Sequence, residues 1–294
     1  THAVSAASKG GAVKPLHNAS AVDSYADLPF LPAGGVASAK GFKACGIHAG
    51  FRADPKRLDF ALVAADQPAA CAAVFTTNVF CSAPVTVSKE HLDGVGHGIA
   101  RAVAINSGIA NAATGDKGLE TARQSSGIVA DALGCPVQEV LVASTGVIGQ
   151  HLQMEPFESG APSAVSALSV AGGADAARAI MTTDTIPKAA SRVIIIDGKT
   201  VTITGMCKGS GMIKPNMATM LGFIATDADI PQDVLEVMLK SAVNKSFNCI
   251  TVDGDTSTND SLILMATGKV DIGITSTASG NYQTMLHAVT DLAQ

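Results

Sequence analysis

A threonine hydroxyl becomes a nucleophile only when a neighbouring group takes its proton. The stretch KGSGMIKPNMATMLGFIATDA, residues 208–228, surrounds Thr219 with residues that suit one way of doing this. It holds no histidine, one acid (Asp227) and two lysines, Lys208 and Lys214. In such a setting the base can be the threonine's own α-amine, which requires the residue to begin a chain. An internal threonine reaches that state if its hydroxyl attacks the preceding carbonyl, an N-to-O acyl shift that hydrolysis completes. The attack needs a small preceding residue and a backbone free to bend. Ala218 is small, while Gly209, Gly211 and Pro215 allow or impose unusual dihedrals. Composition alone favours a plainer reading, since a threonine in an apolar stretch is usually a strand residue.

Other candidate chemistry is weaker. None of the seven histidines lies in a GxSxG or HExxH setting, so no local motif supports a serine triad or a zinc site. The six cysteines (Cys45, Cys71, Cys81, Cys135, Cys207 and Cys249) form no CxxC pair and read as free thiols rather than disulfides or metal ligands. Gly-Ser-Gly at 209–211 follows Lys208, the reverse of the order a P-loop needs. Lys208 itself is either a solvated loop lysine or a cation for a substrate carboxylate. DGDTSTND, 253–260, lacks the glycine and glutamate of a calcium loop and reads as a polar turn near the site. In AIMTTDTIPK, 179–188, Asp184 is compatible with a turn. Thr145-Gly146 follows a short apolar run and on its own reads as a turn where a strand ends.

The elements that must position these residues can be drafted from periodicity. RAVAIN (101–106), EVLVAS (139–144) and SLILMATG (261–268) read as buried strands. DFALVAADQPAACAAVFTTN (59–78) reads as two strands about a turn at Asp66 to Pro68, and RVIIIDGKTVTIT (192–204) as a hairpin turning at Asp197-Gly198. A helix from Asp116 carries Leu119, Ala122, Val129 and Leu133 on one face and stops at Gly134. Another opens at Pro231 with Leu235, Met238, Leu239 and Ala242 at helical spacing. A last helix runs from Tyr282 to Gln294. Interleaved strands and helices with short connections predict a layered α/β domain. The 294 residues are 47% hydrophobic and 15% charged, enough for a sizeable core, and the net charge of −5 argues against a nucleic-acid partner. No apolar run approaches the roughly 18 residues of a membrane-spanning helix.

KGSGMIKPNMATML resembles the self-cleavage segment of the ornithine acetyltransferase (glutamate N-acetyltransferase) family of arginine biosynthesis. GFKACGIHAGFR (41–52), AAVFTTN (72–78), AINSGIANAATG (104–115), LVASTGVIG (141–149), AIMTTDTIPK and SFNCITVDGDTSTND (246–260) resemble it in the same order. Ile109 and Lys214 depart from the pattern, standing where Asn and Ala are expected. The resemblance implies an α/β sandwich of the self-processing ornithine acetyltransferase type. It implies cleavage between Ala218 and Thr219, then a ping-pong transfer of acetyl from N-acetylornithine to glutamate through acetyl-Thr219. It implies that Thr145 and Gly146 form the oxyanion hole, and that Thr182, Lys208 and Thr219 bind substrate, with Thr183 or Thr185 as alternatives to Thr182. No metal or cofactor is implied, and acetyl-CoA stays open as a second donor. The implied assembly has two α and two β chains.

On this reading residues 1–40 are an extension, 41–218 the α segment and 219–294 the start of the β segment. The Ala/Ser/Gly-rich residues 1–40 resemble the end of a plastid transit peptide, with the mitochondrial matrix and the cytoplasm as alternatives. The helix ending at Gln294 without a stop signal suggests a chain cut short, with further substrate groups beyond it. On that expectation its face of Met285, Val289 and Leu292 is exposed or loosely packed. Two other functions compete: a related aminopeptidase or amidohydrolase that passes its acyl group to water, and a nucleotide-binding module built on Lys208 and Gly-Ser-Gly.

Overall fold

A computed structural model describes residues 20–21, 35–94, 98–214 and 220–294. Ala218 and Thr219, the expected cleavage point, lie outside the described residues, as does most of the N-terminal extension.

Among the described residues nine strands form one sheet. They are β1 (Ser20–Ala21), β2 (Phe42–Ile47), β3 (Phe60–Phe75), β4 (Ile99–Ile109), β5 (Val140–Val147), β6 (Lys188–Ile196), β7 (Lys199–Lys208), β8 (Leu221–Asp229) and β9 (Ser261–Asp271). The order is β1-β6-β7-β8-β9-β3-β4-β5, with β2 also paired to β3. The pairs β4–β5 and β8–β9 are parallel and the others antiparallel. Six helices cover it: α1 (Ala83–Asp93), α2 (Gly115–Leu133), α3 (Glu155–Ala167), α4 (Gly173–Ala179), α5 (Gln232–Asn244) and α6 (Tyr282–Ala293).

The two-residue period of the strands sorts their side chains into layers. Ala61, Val63, Val103, Ile105, Leu141 and Ala143 from β3–β5 share one core with Met206, Leu221, Phe223, Ala225, Ile263 and Met265 from β7–β9. The sheet is therefore folded so that its two halves face each other. The alternate residues point outward. Phe60, Leu62, Ala102, Ala104 and Val140 pack with Val129, Phe157 and Ala161 of α2 and α3. Ile203, Ile224, Leu262 and Leu264 pack with Leu235, Met238 and Leu239 of α5 and Met285 and Val289 of α6. The result is helices, half-sheet, half-sheet, helices, the layered α/β architecture expected.

The hairpin at Asp197-Gly198 is present, with φ of 50° and 76° at the two turn residues, as a two-residue turn between right-twisted strands requires. The helices at 115–133 and 232–244 also stand where periodicity put them. Three readings need correction. Residues 59–78 are not two strands about a turn: β3 runs unbroken for 16 residues. Its register on β4 shifts between Ala64 and Ala69, and Asp66, Gln67 and Pro68 stand exposed there. The sequence signal was a bulge, which bends a strand without ending it. Helices α3 and α4 had no counterpart in the periodicity; α4 buries small residues only, Ala176, Ala177 and Ala179. Finally, the α6 face is not loose: Met285 and Val289 are fully buried and Leu292 packs against the same cluster.

Candidate active site

The fold brings one end of several strands together: the last residues of β4, β5 and β7 and the first of β8 and β9. Lys208 closes β7 and pairs in register with Leu221, the first residue of β8. Leu221 pairs in turn with Ser261, the first of β9. The Ser261 N–H donates to the Met220 carbonyl at 3.0 Å. The residue following Thr219 is thus fixed between Lys208 on one side and Asp260-Ser261 on the other.

Thr145 and Gly146 lie across the seam between the half-sheets. The strand does not end before them as expected: β5 continues to Val147, and they pair with Ser107 and Gly108 of β4. Thr145 is buried and Gly146 exposed, so solvent begins between them. Gly146 has φ of 135°, and a Cβ there would lie 2.2 Å from the carbonyl of Gly108. Only glycine lets these two backbones pass so closely. Asn259 bridges the seam. Its side-chain amide donates to the carbonyls of Ser144 at 2.9 Å and Ala110 at 2.6 Å.

The 181–185 segment closes the circle. Asp184 is buried and pairs with Lys188, and it accepts the N–H of Gly209 at 2.8 Å and of Thr182 at 3.3 Å. Burial pushes its carboxyl up, but the Lys188 ammonium and the two N–H groups outweigh this and hold it below the ordinary carboxylate range. Thr182 keeps its backbone pinned at both ends, its carbonyl accepting Arg57 at 3.3 Å. Thr183 and Thr185 are exposed, and Thr183 instead shares a hydroxyl bond with Ser210 at 2.7 Å. Arg52 joins this segment to β4 through the Met181 carbonyl at 3.1 Å and the Ser107 hydroxyl at 3.3 Å. Buried Asp59 in turn accepts the N–H of Arg52 at 2.9 Å and of Ala49 at 2.6 Å.

These contacts run as a ring: Thr145 pairs with Ser107, Ser107 bonds Arg52, Arg52 reaches Met181 beside Thr182, Asp184 holds Thr182 and Gly209, Lys208 pairs with Leu221, Met220 is held by Ser261, and Asn259 returns to Ser144. All the sequence-predicted site residues that are described stand in it. Burial draws the Lys208 ammonium's pKa down, and the charges of Asp184 and Asp260 oppose this. Burial also pushes the Asp260 carboxyl up to about 7. The 253–260 run is an irregular polar connection that leads into β9. Asp253 accepts the N–H groups of Met212 and Ile213, and among the described residues no group of acids, histidines and cysteines could hold a metal. The six cysteines are free thiols.

The site thus lies at strand ends of a self-facing sheet, with Thr145-Gly146 and Lys208 as parts of it. The ArgJ family model matches residues 43–294.

The chain belongs to the ArgJ family.

It is 50% identical over 236 residues to the arginine biosynthesis bifunctional protein ArgJ of Synechococcus sp., and 49% identical over 233 residues to that of Methylococcus capsulatus. Those matches cover 80% and 79% of this chain and 56% of each relative, so the chain spans little more than half their length. The crystal structure of ArgJ from Bacillus halodurans is 38% identical with a TM-score of 0.60, covering 69% of this chain and 100% of that one. The ornithine acetyltransferase of Mycobacterium tuberculosis, solved in complex with ornithine, is 37% identical with a TM-score of 0.56, covering 63% of this chain and 97% of that one. An L-aminopeptidase D-Ala-esterase/amidase from Ochrobactrum anthropi, a variant of the Ntn-hydrolase fold, shares the fold alone. It is 13% identical with a TM-score of 0.53, covering 90% of this chain and 85% of that one.

Sequence reasoning missed Arg52, Asp59, Ser107, Asn259 and Asp260. Arg52, Ser107, Asn259 and Asp260 fall inside stretches that carried the family resemblance, but no local spacing marks them as site residues.

Proposed function

We propose that this ArgJ-family chain is part of a self-cleaving acetyltransferase that moves acetyl from N-acetylornithine to glutamate. The observation that carries the reading is the ring of contacts. It gathers Thr145-Gly146, Thr182 and Lys208 about Met220, the residue that follows Thr219 in sequence. The M. tuberculosis relative's complex with ornithine supports a substrate of that class.

On this reading the chain is cut between Ala218 and Thr219, and the new α-amine of Thr219 is the base. The Thr219 hydroxyl attacks the acetyl carbonyl of N-acetylornithine and gives its proton to that amine. Thr145 and Gly146 donate to the oxyanion. The tetrahedral intermediate collapses, the proton passes to the departing ornithine nitrogen, and acetyl-Thr219 remains. The glutamate amine then attacks the ester and the steps run in reverse. Lys208 holds a substrate carboxylate and Thr182 lines the same side. Residues 41–218 and those from 219 onward form the α and β pieces, assembled two and two, with acetyl-CoA a second donor to be tested and a plastid the proposed location.

The test uses the full-length enzyme. N-terminal sequencing of the smaller piece is expected to read Thr-Met-Leu-Gly-Phe, and N-acetylornithine with glutamate is expected to yield N-acetylglutamate. Acetate as the only acyl product would mark a hydrolase instead. An uncut chain after long incubation at neutral pH would remove the mechanism, because the base is never freed.

A further inference from the structure

Side chains from distant parts of the chain hold the backbone where α4 ends. The Ser107 hydroxyl donates to the Ala179 carbonyl at 2.7 Å. Arg52 Nη2 donates to the Met181 carbonyl at 3.1 Å, and Arg57 Nη2 to the Thr182 carbonyl at 3.3 Å. Arg52 also reaches β4, where its Nε donates to the Ser107 hydroxyl at 3.3 Å. Its stem lies against the next residue of that strand: a Cβ built on Gly108 would stand 3.2 Å from Arg52 Cγ. Gly108 is the register partner of Gly146. The base of the arginine is fixed as well. Its backbone N–H donates to buried Asp59 at 2.9 Å, and the Asp59 carbonyl accepts the Ser107 N–H at 2.8 Å. Arg52 and Ser107 are thus joined directly and again through Asp59.

We infer that Arg52 is a positioning residue that sets the spacing between Thr182, on the substrate side of the site, and Thr145-Gly146, on the oxyanion side. The inference rests on the acetyl-transfer reading for those two roles, and on the hydrogen bonds for the tie itself. The geometry asks for a guanidinium and not merely a cation. Its donors point in fixed directions from one rigid plane, so a single side chain bridges the Ser107 hydroxyl and the Met181 carbonyl and fixes their separation. A lysine ammonium is a point charge on a flexible stem and does not hold two partners at a set distance. Capping of α4 accounts for less of what is seen. A cation that caps a helix end is well served by an exposed position. Arg52 is partly buried, and burial and the like charge of Arg57 both work against its charge. Its second bond, moreover, goes to the strand that carries Gly108 and not to the helix. Ser107 by itself ends the tie at Ala179, and Arg52 carries it on to the residue before Thr182.

The experiment uses the full-length enzyme as wild type, Arg52→Ala, Ser107→Ala and the double variant, with Arg52→Lys beside them. Urea unfolding comes first and needs no activity. The double variant is expected to lose less stability than the two single losses summed, because both remove the same bond. Additive losses overturn the tie. Acetyl transfer comes second. The kcat of Arg52→Ala is expected to fall about 10²-fold, the loss that a misplacement of about 1 Å brings. KM for N-acetylornithine and for glutamate is expected to stay near wild type, since every group that touches substrate is still present. Adding Ser107→Ala to Arg52→Ala is expected to lower kcat little further, as residues that act as a unit do not add. Arg52→Lys keeps the charge but not the bridge, and its kcat is expected to fall in the same direction. Wild-type kcat in Arg52→Lys overturns the inference, because charge alone then suffices. A raised KM at unchanged kcat in Arg52→Ala overturns it too, since Arg52 would then bind substrate and not position the site. A wild type that makes no N-acetylglutamate refutes the acetyl-transfer reading instead, while the unfolding cycle still decides the tie. Should Arg52→Ala not fold, Arg52→Lys takes its place in both measurements, and additive stability losses or a wild-type kcat overturn the inference.

Discussion

Individual atoms set the strictest demands on this chain where Gly146 passes Gly108. A Cβ on residue 146 would sit 2.2 Å from the Gly108 carbonyl, at a φ of 135° that L residues rarely adopt. Gly146→Ala is therefore expected to abolish acetyl transfer and to lower the melting temperature. A variant with wild-type turnover would show that the β4–β5 ends are not the oxyanion region. Thr145→Ala keeps the backbone, so its expected effect is confined to rate, a loss of about 10² to 10³ in kcat with an unchanged melting temperature. Asp184 makes a different demand, and its sign can be worked out. Its folded pKa lies below the unfolded value. The stabilisation is thus complete above the unfolded value and disappears as pH falls through the folded one. Calorimetry of Asp184→Asn against wild type should show a stability gap at neutral pH that closes in acid. A gap independent of pH would mean the carboxylate's charge is not what holds the 181–185 segment to Gly209.

Elements carry the site by meeting at their ends, and Asn259 is where two of them are tied. Its amide reaches the Ser144 carbonyl of β5 and the Ala110 carbonyl beyond β4 from the turn before β9. Asn259→Ala leaves both carbonyls buried without this donor. Each such loss costs about 1–3 kcal/mol, and urea unfolding should register the sum. A change within about 0.5 kcal/mol, the range of an ordinary surface substitution, would show that the seam is held elsewhere. This level also shows what the sequence makes legible. Long periodic helices and the Asp-Gly hairpin are local events, written in spacing and turn chemistry, and they were readable. The bend in β3 was not, because Asp66, Gln67 and Pro68 look alike whether a strand turns or bulges. Helix α4 was not, because its buried face is alanine and glycine and gives no hydrophobic contrast. For the candidate site, Thr145-Gly146, Thr182 and Lys208 were reached through long motifs. Asn259 acts across separations of 115 residues or more, and Arg52 reaches Ser107 across 55 and Met181 across 129. No local pattern encodes such a contact.

The whole molecule decides what a cut between Ala218 and Thr219 would do. The break falls between β7 and β8, which remain paired from Ile203↔Thr226 to Lys208↔Leu221. β8 and β9 stand in the interior of the sheet order, between β7 and β3. One face of these two strands gives Phe223, Ala225, Ile263 and Met265 to the core shared with β3–β5. The other receives α5 and α6, whose Leu235, Leu239, Met285 and Val289 pack against Ile194, Val201 and Ile203 of the first piece. Separation would return these side chains to water at about 1.5–3 kcal/mol for each large one, and would open unpaired strand edges on both pieces. The two pieces are therefore expected to elute together on size exclusion and to unfold in one transition, parting only in denaturant. Dissociation of the cut pieces under native conditions would mean that the continuous chain, and not the shared core, holds the half-sheets face to face. The ring of contacts about Lys208 and Met220 could not then survive the proposed cleavage.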